Sequence, residues 1–164
     1  MKSTPPNSIA VSERRKVGML LLPPLLLLVV AASALALHFV VRESWGTSPR
    51  GLVIGTVLVA LGIALIAVSG LYFKRSGTPV RPVSPTITIV ARGPYAISRN
   101  PMYVGMTLLL LGLAFAMSSW IIAVAALFFA AVVHWGVILP EERYLEALHG
   151  DTYLRYKLVV RRWL

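Results

Sequence analysis

Four long apolar runs divide the chain, and polar segments rich in turn-forming residues separate them. The runs cover residues 17–41, 51–73, 101–117 and 120–139. A stretch of about 20 apolar residues is long enough to cross the hydrocarbon core of a bilayer as a helix. The pattern therefore predicts an all-α integral membrane protein with about four transmembrane helices, in a single domain over residues 17–164.

Proline and glycine refine the first part of this pattern. Residues 1–16 are polar and are predicted to be disordered. Pro23 and Pro24 interrupt the first run, so its regular helix is expected to start there. Small residues that favour close helix packing within one protomer, rather than a dimer contact, stand in the second run at Gly51, Gly55 and Gly62.

The polar connections differ in length and character. The connection over residues 74–100 is long and rich in proline, and its alternating segment from Thr86 to Val90 indicates β-like order rather than a tether. Only Ser118 and Ser119 separate the third and fourth runs, which predicts a tight antiparallel helical hairpin. Residues 141–160 alternate apolar and charged positions, as in an amphipathic helix at a membrane surface.

The distribution of basic residues predicts the topology. The N-terminal segment, the 74–100 connection and the part after residue 140 contain 14 of the 16 lysines and arginines. Cytoplasmic segments carry such an excess, so both termini and the long connection are expected in the cytoplasm. The net charge of +10 is expected to face anionic membrane lipids rather than nucleic acid.

Several classes of site are excluded or disfavoured. The chain has no cysteine, which excludes disulfides, thiol nucleophiles and thiolate metal sites. Its three histidines lack the paired spacing of a metal site, so no metal is expected. A glycine-rich phosphate loop after a strand is also missing, which disfavours nucleotide-binding folds.

The segment 92–105 is the main candidate for a functional site. Gly93 and Pro94 predict a turn. Asn100 and Pro101 predict a helix start, because asparagine suits the N-cap and proline the first helical position. The first turn of such a helix can bind an anionic group.

A second group of polar residues lies at the end of the fourth run. On a regular helix, positions 134, 138, 141 and 145 share one face, which would align His134 with Glu141. Ionisable groups at membrane depth are usually functional. The alternatives are a hydrogen-bonded packing histidine and, for Glu141 and Glu142, a solvated helix start.

Several short motifs together resemble the isoprenylcysteine carboxyl methyltransferase family, whose relatives include membrane phospholipid methyltransferases. They are Gly93-x-Tyr95, Arg99-Asn100-Pro101-x-Tyr103-x-Gly105, Glu141-Glu142, Gly150-x-x-Tyr153-x-x-Tyr156 and a final Arg161-Arg162-Trp163. The resemblance extends over residues 77–163. It implies an integral-membrane enzyme that binds S-adenosylmethionine at its cytosolic face, between the loop before the hairpin and the C-terminal helix.

The resemblance also implies a set of cofactor-binding residues. They are Ile87, Thr88, Ile89 and Val90 through their backbone, Tyr95, Asn100, Pro101, Met102 and Tyr103, and Glu142 or its neighbour Glu141. These types suit the cofactor, because the helix start can bind its carboxylate, a glutamate its ammonium, and a tyrosine ring its sulfonium.

This chain departs from the family at two positions. Asn100 stands where a histidine is usual, and asparagine cannot carry a proton at neutral pH. Enzymes that act on prenylated proteins have an arginine about one turn before the glutamate pair, where this chain has the uncharged segment 137–140. Arg143 or Arg99 could replace it, although no motif indicates this.

The sequence therefore predicts an S-adenosylmethionine-dependent membrane methyltransferase with a lipid-like or prenylated acceptor. Carboxyl O-methylation is the family default; the alternatives are N-methylation of a phospholipid or other amine, and a non-catalytic scaffold. An amine acceptor needs a general base, for which His134 and Glu141 are the candidates. The expected location is a prokaryotic inner membrane.

Overall fold

The computed structural model describes residues 6–46, 48–75 and 91–164, and its described part is helical. Its α-helices are α1 (Pro6–Val41), α2 (Pro49–Arg75), α3 (Pro101–Met117), α4 (Trp120–Val133), α5 (Leu139–His149) and α6 (Asp151–Val159). A 3₁₀ turn over Gly93–Ala96 precedes α3, and a π-helical turn over His134–Ile138 joins α4 to α5. The prediction of an all-α protein is confirmed.

Within the described part of the chain, three helical segments are long and apolar enough to cross a membrane. They are Pro23–Val41, Pro49–Arg75 and Trp120–His149. The third predicted span, α3, is a shorter apolar helix of 17 residues. At 1.5 Å per residue it is about 26 Å long, near the lower limit for a span.

The prolines interrupt the helices less than the sequence suggests. α1 runs through Pro23 and Pro24 instead of starting there, so that expectation is wrong. Membrane helices accommodate proline because neighbouring groups and local adjustments compensate for the lost hydrogen bonds. Pro140 lies in the first turn of α5, directly after the π turn. A proline is tolerated in the first turn of a helix because its missing N–H would have no partner there.

Glycines form the contact between α2 and α3. A Cβ atom on Gly55 would lie 2.6 Å from the carbonyl oxygen of Gly112, and one on Gly62 would lie 2.7 Å from that of Gly105. Real Cβ contacts are longer, so both pairs of backbones approach too closely for any larger residue. The expected packing of the second run within one protomer is confirmed.

The hairpin between α3 and α4 is as tight as predicted, and Glu43 attaches to it. Ser118 is left-handed, and the Ser119 hydroxyl accepts a hydrogen bond from the backbone of Ile122 at 3.2 Å. The Glu43 carboxylate in turn accepts hydrogen bonds from the Ser119 hydroxyl and from the Trp120 backbone. The Ser119 hydrogen bond is the main cause that lowers the pKa of Glu43 to about 2.

Substitution of Gly55 by alanine is expected to lower the stability of the protein by about 1–3 kcal/mol, because the added methyl group overpacks the α2–α3 contact. The matched control is Gly70→Ala in the same helix, where no described atom lies within 4 Å of the new Cβ. The measurement is the thermal unfolding midpoint in detergent. Equal midpoints for the two variants would contradict the close contact.

Candidate functional site

The loop before α3 packs against the end of α2 through one glycine. Gly93 has a φ of +59°, and a Cβ atom there would lie 2.7 Å from the ring of Tyr72. Both the left-handed backbone and the ring contact therefore require glycine. The predicted turn at Gly93 and Pro94 is confirmed, and it leads directly into the start of α3.

Asn100 precedes α3 as predicted, but its side chain does not cap the helix. No side-chain cap hydrogen bond forms; the Asn100 Nδ2 instead donates to the backbone carbonyl of Arg162 at 2.9 Å. The expectation of a capping side chain is wrong, because the amide group is directed towards that carbonyl. Pro101 is fully buried and Met102 is half-buried in the first turn.

Residues 160–163, here called the 160–163 segment, run parallel to residues 98–100. Val160 is extended, and Ser98 forms a parallel β-bridge with Arg161. The backbone N–H of Arg99 donates to the carbonyl of Arg161 at 2.9 Å. The 160–163 segment therefore packs beside the start of α3.

Glu142 is the anionic centre of the site. It is only 5% exposed, and Arg162 forms a bidentate pair with it at 2.9 Å for both contacts. The Nη1 of Arg99 lies 3.2 Å from the Glu142 Oε1. The hydrogen bonds from Arg162 to the Glu142 carboxylate raise the pKa of Arg162 above its ordinary value.

The guanidinium of Arg99 carries unused hydrogen-bonding capacity. Its side chain is 8% exposed, and its Nε has no hydrogen-bond partner among the described residues, while its Nη1 has only the ion-pair contact with Glu142, which lacks hydrogen-bond geometry. Two guanidinium groups thus share the single carboxylate of Glu142. A buried donor without a partner is unfavourable, so this cluster is suited to a further anionic group.

Glu141, Tyr103 and Tyr95 form the second polar group. The Tyr103 hydroxyl donates to the Glu141 Oε2 at 3.4 Å, and the Glu141 side chain is exposed. Burial, with a smaller contribution from the Glu141 charge, raises the pKa of Tyr95 to about 12. Tyr95 is therefore uncharged at neutral pH, and the group combines one carboxylate with two phenol rings.

His134 contacts Trp163 and not Glu141, its predicted neighbour. The indole Nε1 of Trp163 donates to the His134 Nδ1 at 3.1 Å, and the two rings stack with centroids 6.2 Å apart. The π turn starts at His134, so the predicted alignment with Glu141 on a regular α-helical face does not hold. The Trp163 contact occupies the Nδ1 lone pair, which leaves the hydrogen of a neutral ring on Nε2.

Two tyrosines of α6 pack beneath the loop. The Tyr156 hydroxyl donates to the carbonyl of Tyr95 at 2.7 Å, and Tyr153 is buried beside it with ring centroids 6.0 Å apart. Burial raises the pKa of each to about 12. A cavity of about 430 Å³ is lined by Tyr156, Ala96 and Arg155 among others.

The structure thus gathers most of the predicted site residues at one end of α3. The structure also brings Arg99, Arg162 and Trp163 into the site. Their positions in the family motifs were the one indication of this in the sequence. The predicted backbone contacts at Ile87, Thr88, Ile89 and Val90 lie outside the described residues.

Comparison with known proteins identifies the family. A family model described as phospholipid methyltransferase matches residues 51–152, from α2 to the first turn of α6. The chain belongs to the phospholipid methyltransferase family. This family contains the membrane methyltransferases of the isoprenylcysteine carboxyl type, so the resemblance found in the sequence is confirmed. Membership indicates a membrane methyltransferase, in agreement with the membrane-spanning helices.

Comparison with an individual relative gives no further information on function. An uncharacterised protein of Haemophilus influenzae is 38% identical over 63 residues, which is 38% of this chain and all of that protein. No solved structure matches the chain.

Substitution of Tyr156 by phenylalanine is expected to loosen the loop at Tyr95 without removing the ring. The Tyr95 carbonyl loses its partner, which lowers stability by about 1–3 kcal/mol. Faster hydrogen exchange at residues 95–98 and a lower unfolding midpoint are the expected results. Leu158→Ala is the control, because Leu158 lies on the same helix and is exposed. Unchanged exchange in Tyr156→Phe would show that the hydrogen bond is not required.

Proposed function

We propose that this protein transfers the methyl group of S-adenosylmethionine to a lipid-like acceptor in the membrane. The observation that carries the proposal is the pairing of an anion-binding and a cation-binding group at the start of α3. The cofactor carries a carboxylate, an ammonium and a sulfonium, and so requires both. When bound, it supplies the methyl group as an electrophile on its sulfonium.

Arg99 fits the carboxylate of this cofactor. Its buried Nε has no described partner and its Nη1 contacts Glu142 only as an ion pair, and Glu142 neutralises only one of the two guanidinium groups nearby. A guanidinium is well suited to a carboxylate because its parallel N–H groups match the two oxygens. The start of α3 at Asn100 and Pro101 adds the favourable end of the helix dipole.

Glu141, Tyr103 and Tyr95 fit the cationic groups. Glu141 is accessible, and among the described residues its side chain accepts one long hydrogen bond, from Tyr103 at 3.4 Å. A carboxylate can pair with the ammonium, and an uncharged phenol ring can face the sulfonium with a gain of about 0.5–2 kcal/mol. The rings of Tyr103 and Tyr95 would also help to align the methyl group, since an in-line transfer depends on orientation.

The apolar surface of the helices favours an acceptor dissolved in the bilayer. The sides of α2 and α4 expose large apolar residues, including Leu61, Leu127 and Phe128. Carboxyl O-methylation of an isoprenylcysteine-type acceptor is the first candidate, because a carboxylate acceptor needs no general base. The family description equally supports N-methylation of a phospholipid or other amine, for which Glu141 is the accessible base.

Three further elements belong to the proposal. The acceptor is a lipid-like or prenylated molecule, and the protein is placed in a prokaryotic inner membrane with both termini in the cytoplasm. This orientation rests on the basic segments, which include the 160–163 segment beside the site. A non-catalytic scaffold is the alternative function, and it would not need the accessible Glu141.

The cofactor assignment predicts that the detergent-purified protein binds S-adenosylhomocysteine in a calorimetric titration. Glu141→Gln should weaken binding by about tenfold or more, because it removes the partner of the ligand's ammonium. Tyr103→Ala should weaken binding of S-adenosylmethionine more than that of S-adenosylhomocysteine, because only the former carries the sulfonium that the ring faces. The control is Arg50→Gln, because Arg50 precedes the predicted second span on the side of the membrane opposite to the site. No binding by folded wild type would overturn the assignment and favour the scaffold.

The acceptor assignment predicts methylation of a farnesylcysteine derivative with a free carboxylate in reconstituted vesicles. Radiolabelled cofactor would report the transfer, and the base lability of a methyl ester would distinguish it from a methylated amine. Transfer only to phosphatidylethanolamine would select the amine alternative. In that case Glu141→Gln should abolish turnover, since the ammonium must lose a proton before it attacks.

A further inference from the structure

The two adjacent glutamates of α5 have opposite surroundings. Glu142 is 5% exposed, and the nitrogens of Arg162 and Arg99 surround its carboxylate. Glu141 is exposed and contacts the Tyr103 hydroxyl at 3.4 Å. A ligand cation can therefore reach Glu141 directly, whereas it could reach Glu142 only by displacing a bidentate arginine.

The 160–163 segment connects three parts of the site. It lies along the start of α3 through the Arg99 N–H and the Asn100 amide, which donate to the carbonyls of Arg161 and Arg162. The Arg162 side chain reaches Glu142 at the start of α5. The Trp163 indole reaches His134 at the start of the π turn.

These connections determine the distance between the two ligand-facing groups. Tyr103 lies on the first turn of α3, and Glu141 lies on the first turn of α5. The 160–163 segment is bonded to both helix starts, to α3 through backbone hydrogen bonds and to α5 through Glu142. A displacement of the segment would therefore change the position of Glu141 relative to Tyr103.

We propose that Glu142 and His134 are positioning residues, which the 160–163 segment binds, and that Glu141 alone of the three faces the ligand. The proposal rests on the proposed function for the identity of that ligand. It assigns Glu142 an indirect role, through Arg162 and Arg99, instead of a direct contact with the ammonium. It also makes Arg162 and Trp163 part of the site, although both lie beyond the residues that the family model matches.

His134 fits the same role because its ring is already engaged. Trp163 is only a donor, so the His134 Nδ1 must accept and its lone pair is not available to a substrate proton. A stacked indole and a second indole at its edge, that of Trp135, further restrict the ring. The contact orients the end of α4 against the 160–163 segment.

Arg162→Gln is the decisive variant, because the two roles of Glu142 predict opposite results. If Glu142 acts through Arg162, then Arg162→Gln, Glu142→Gln and the double variant should each weaken S-adenosylhomocysteine binding by about tenfold, without additivity. If Glu142 binds the ligand directly, Arg162→Gln frees its carboxylate, so binding should stay equal or become tighter. Either equal or tighter binding would overturn the proposal.

Arg161→Gln is the matched control. It removes the same charge from the neighbouring residue, whose side chain is exposed and whose backbone carbonyl remains in place. Wild-type affinity is expected for it. An equal loss in Arg161→Gln and Arg162→Gln would mean that net charge alone matters, and would overturn the proposal.

The role of His134 is tested by separating binding from turnover. Trp163→Phe keeps the stacked ring and removes the donor, and His134→Asn removes the imidazole. Both should lower cofactor affinity several-fold and leave turnover at saturating cofactor and its pH profile close to wild type. Loss of turnover with unchanged affinity in His134→Asn would identify a catalytic base and contradict the positioning role.

Failure of the proposed function would look different. Folded wild type that binds no S-adenosylhomocysteine would reject the function. The Arg162–Glu142 connection would then be tested by the unfolding midpoints of the variants. The two single variants and the double variant should lower the unfolding midpoint by similar amounts, because they break the same pair. Additive losses would overturn the inference independently of the ligand.

Discussion

The candidate site depends on one buried carboxylate that two arginines share. Glu142 pairs with Arg162 in a bidentate geometry and with Arg99 at 3.2 Å. A buried ion pair is weak evidence for stability, but removal of one partner leaves an uncompensated charge and is strongly destabilising. The cluster therefore acts mainly as a constraint, which fixes where the start of α3, the start of α5 and the 160–163 segment lie together.

Steric contacts inside the bundle determine where this cluster stands. The glycine pairs of α2 and α3 set the closest approach of these helices, and the ring of Tyr72 sets the path of the loop at Gly93. The loop then places Arg99 beside Glu142 and Tyr95 near Glu141. Small-residue packing is the usual means by which membrane helices approach closely, because lipid provides little hydrophobic drive for their association.

Features that depend on local sequence were predictable, and those that depend on tertiary placement were not. The apolar runs, the helix start at Pro101, the hairpin at Ser118 and the turn at Gly93 follow from neighbouring residues alone. The pairing of Glu142 with Arg162 spans 20 residues, and that of His134 with Trp163 spans 29. The π turn was missed because its sequence reads as a regular apolar helix; only its position before Pro140 marks it.

The asparagine at position 100 fits this division of roles. Its amide donates to the Arg162 carbonyl at every physiological pH, whereas a histidine could change its charge there. With Asn100 and His134 both engaged by the 160–163 segment, proton transfer at the ligand would fall to Glu141 alone. A carboxylate acceptor requires no such transfer, so these contacts favour it within the proposed function. An amine acceptor would depend entirely on the one glutamate that the arginines leave accessible.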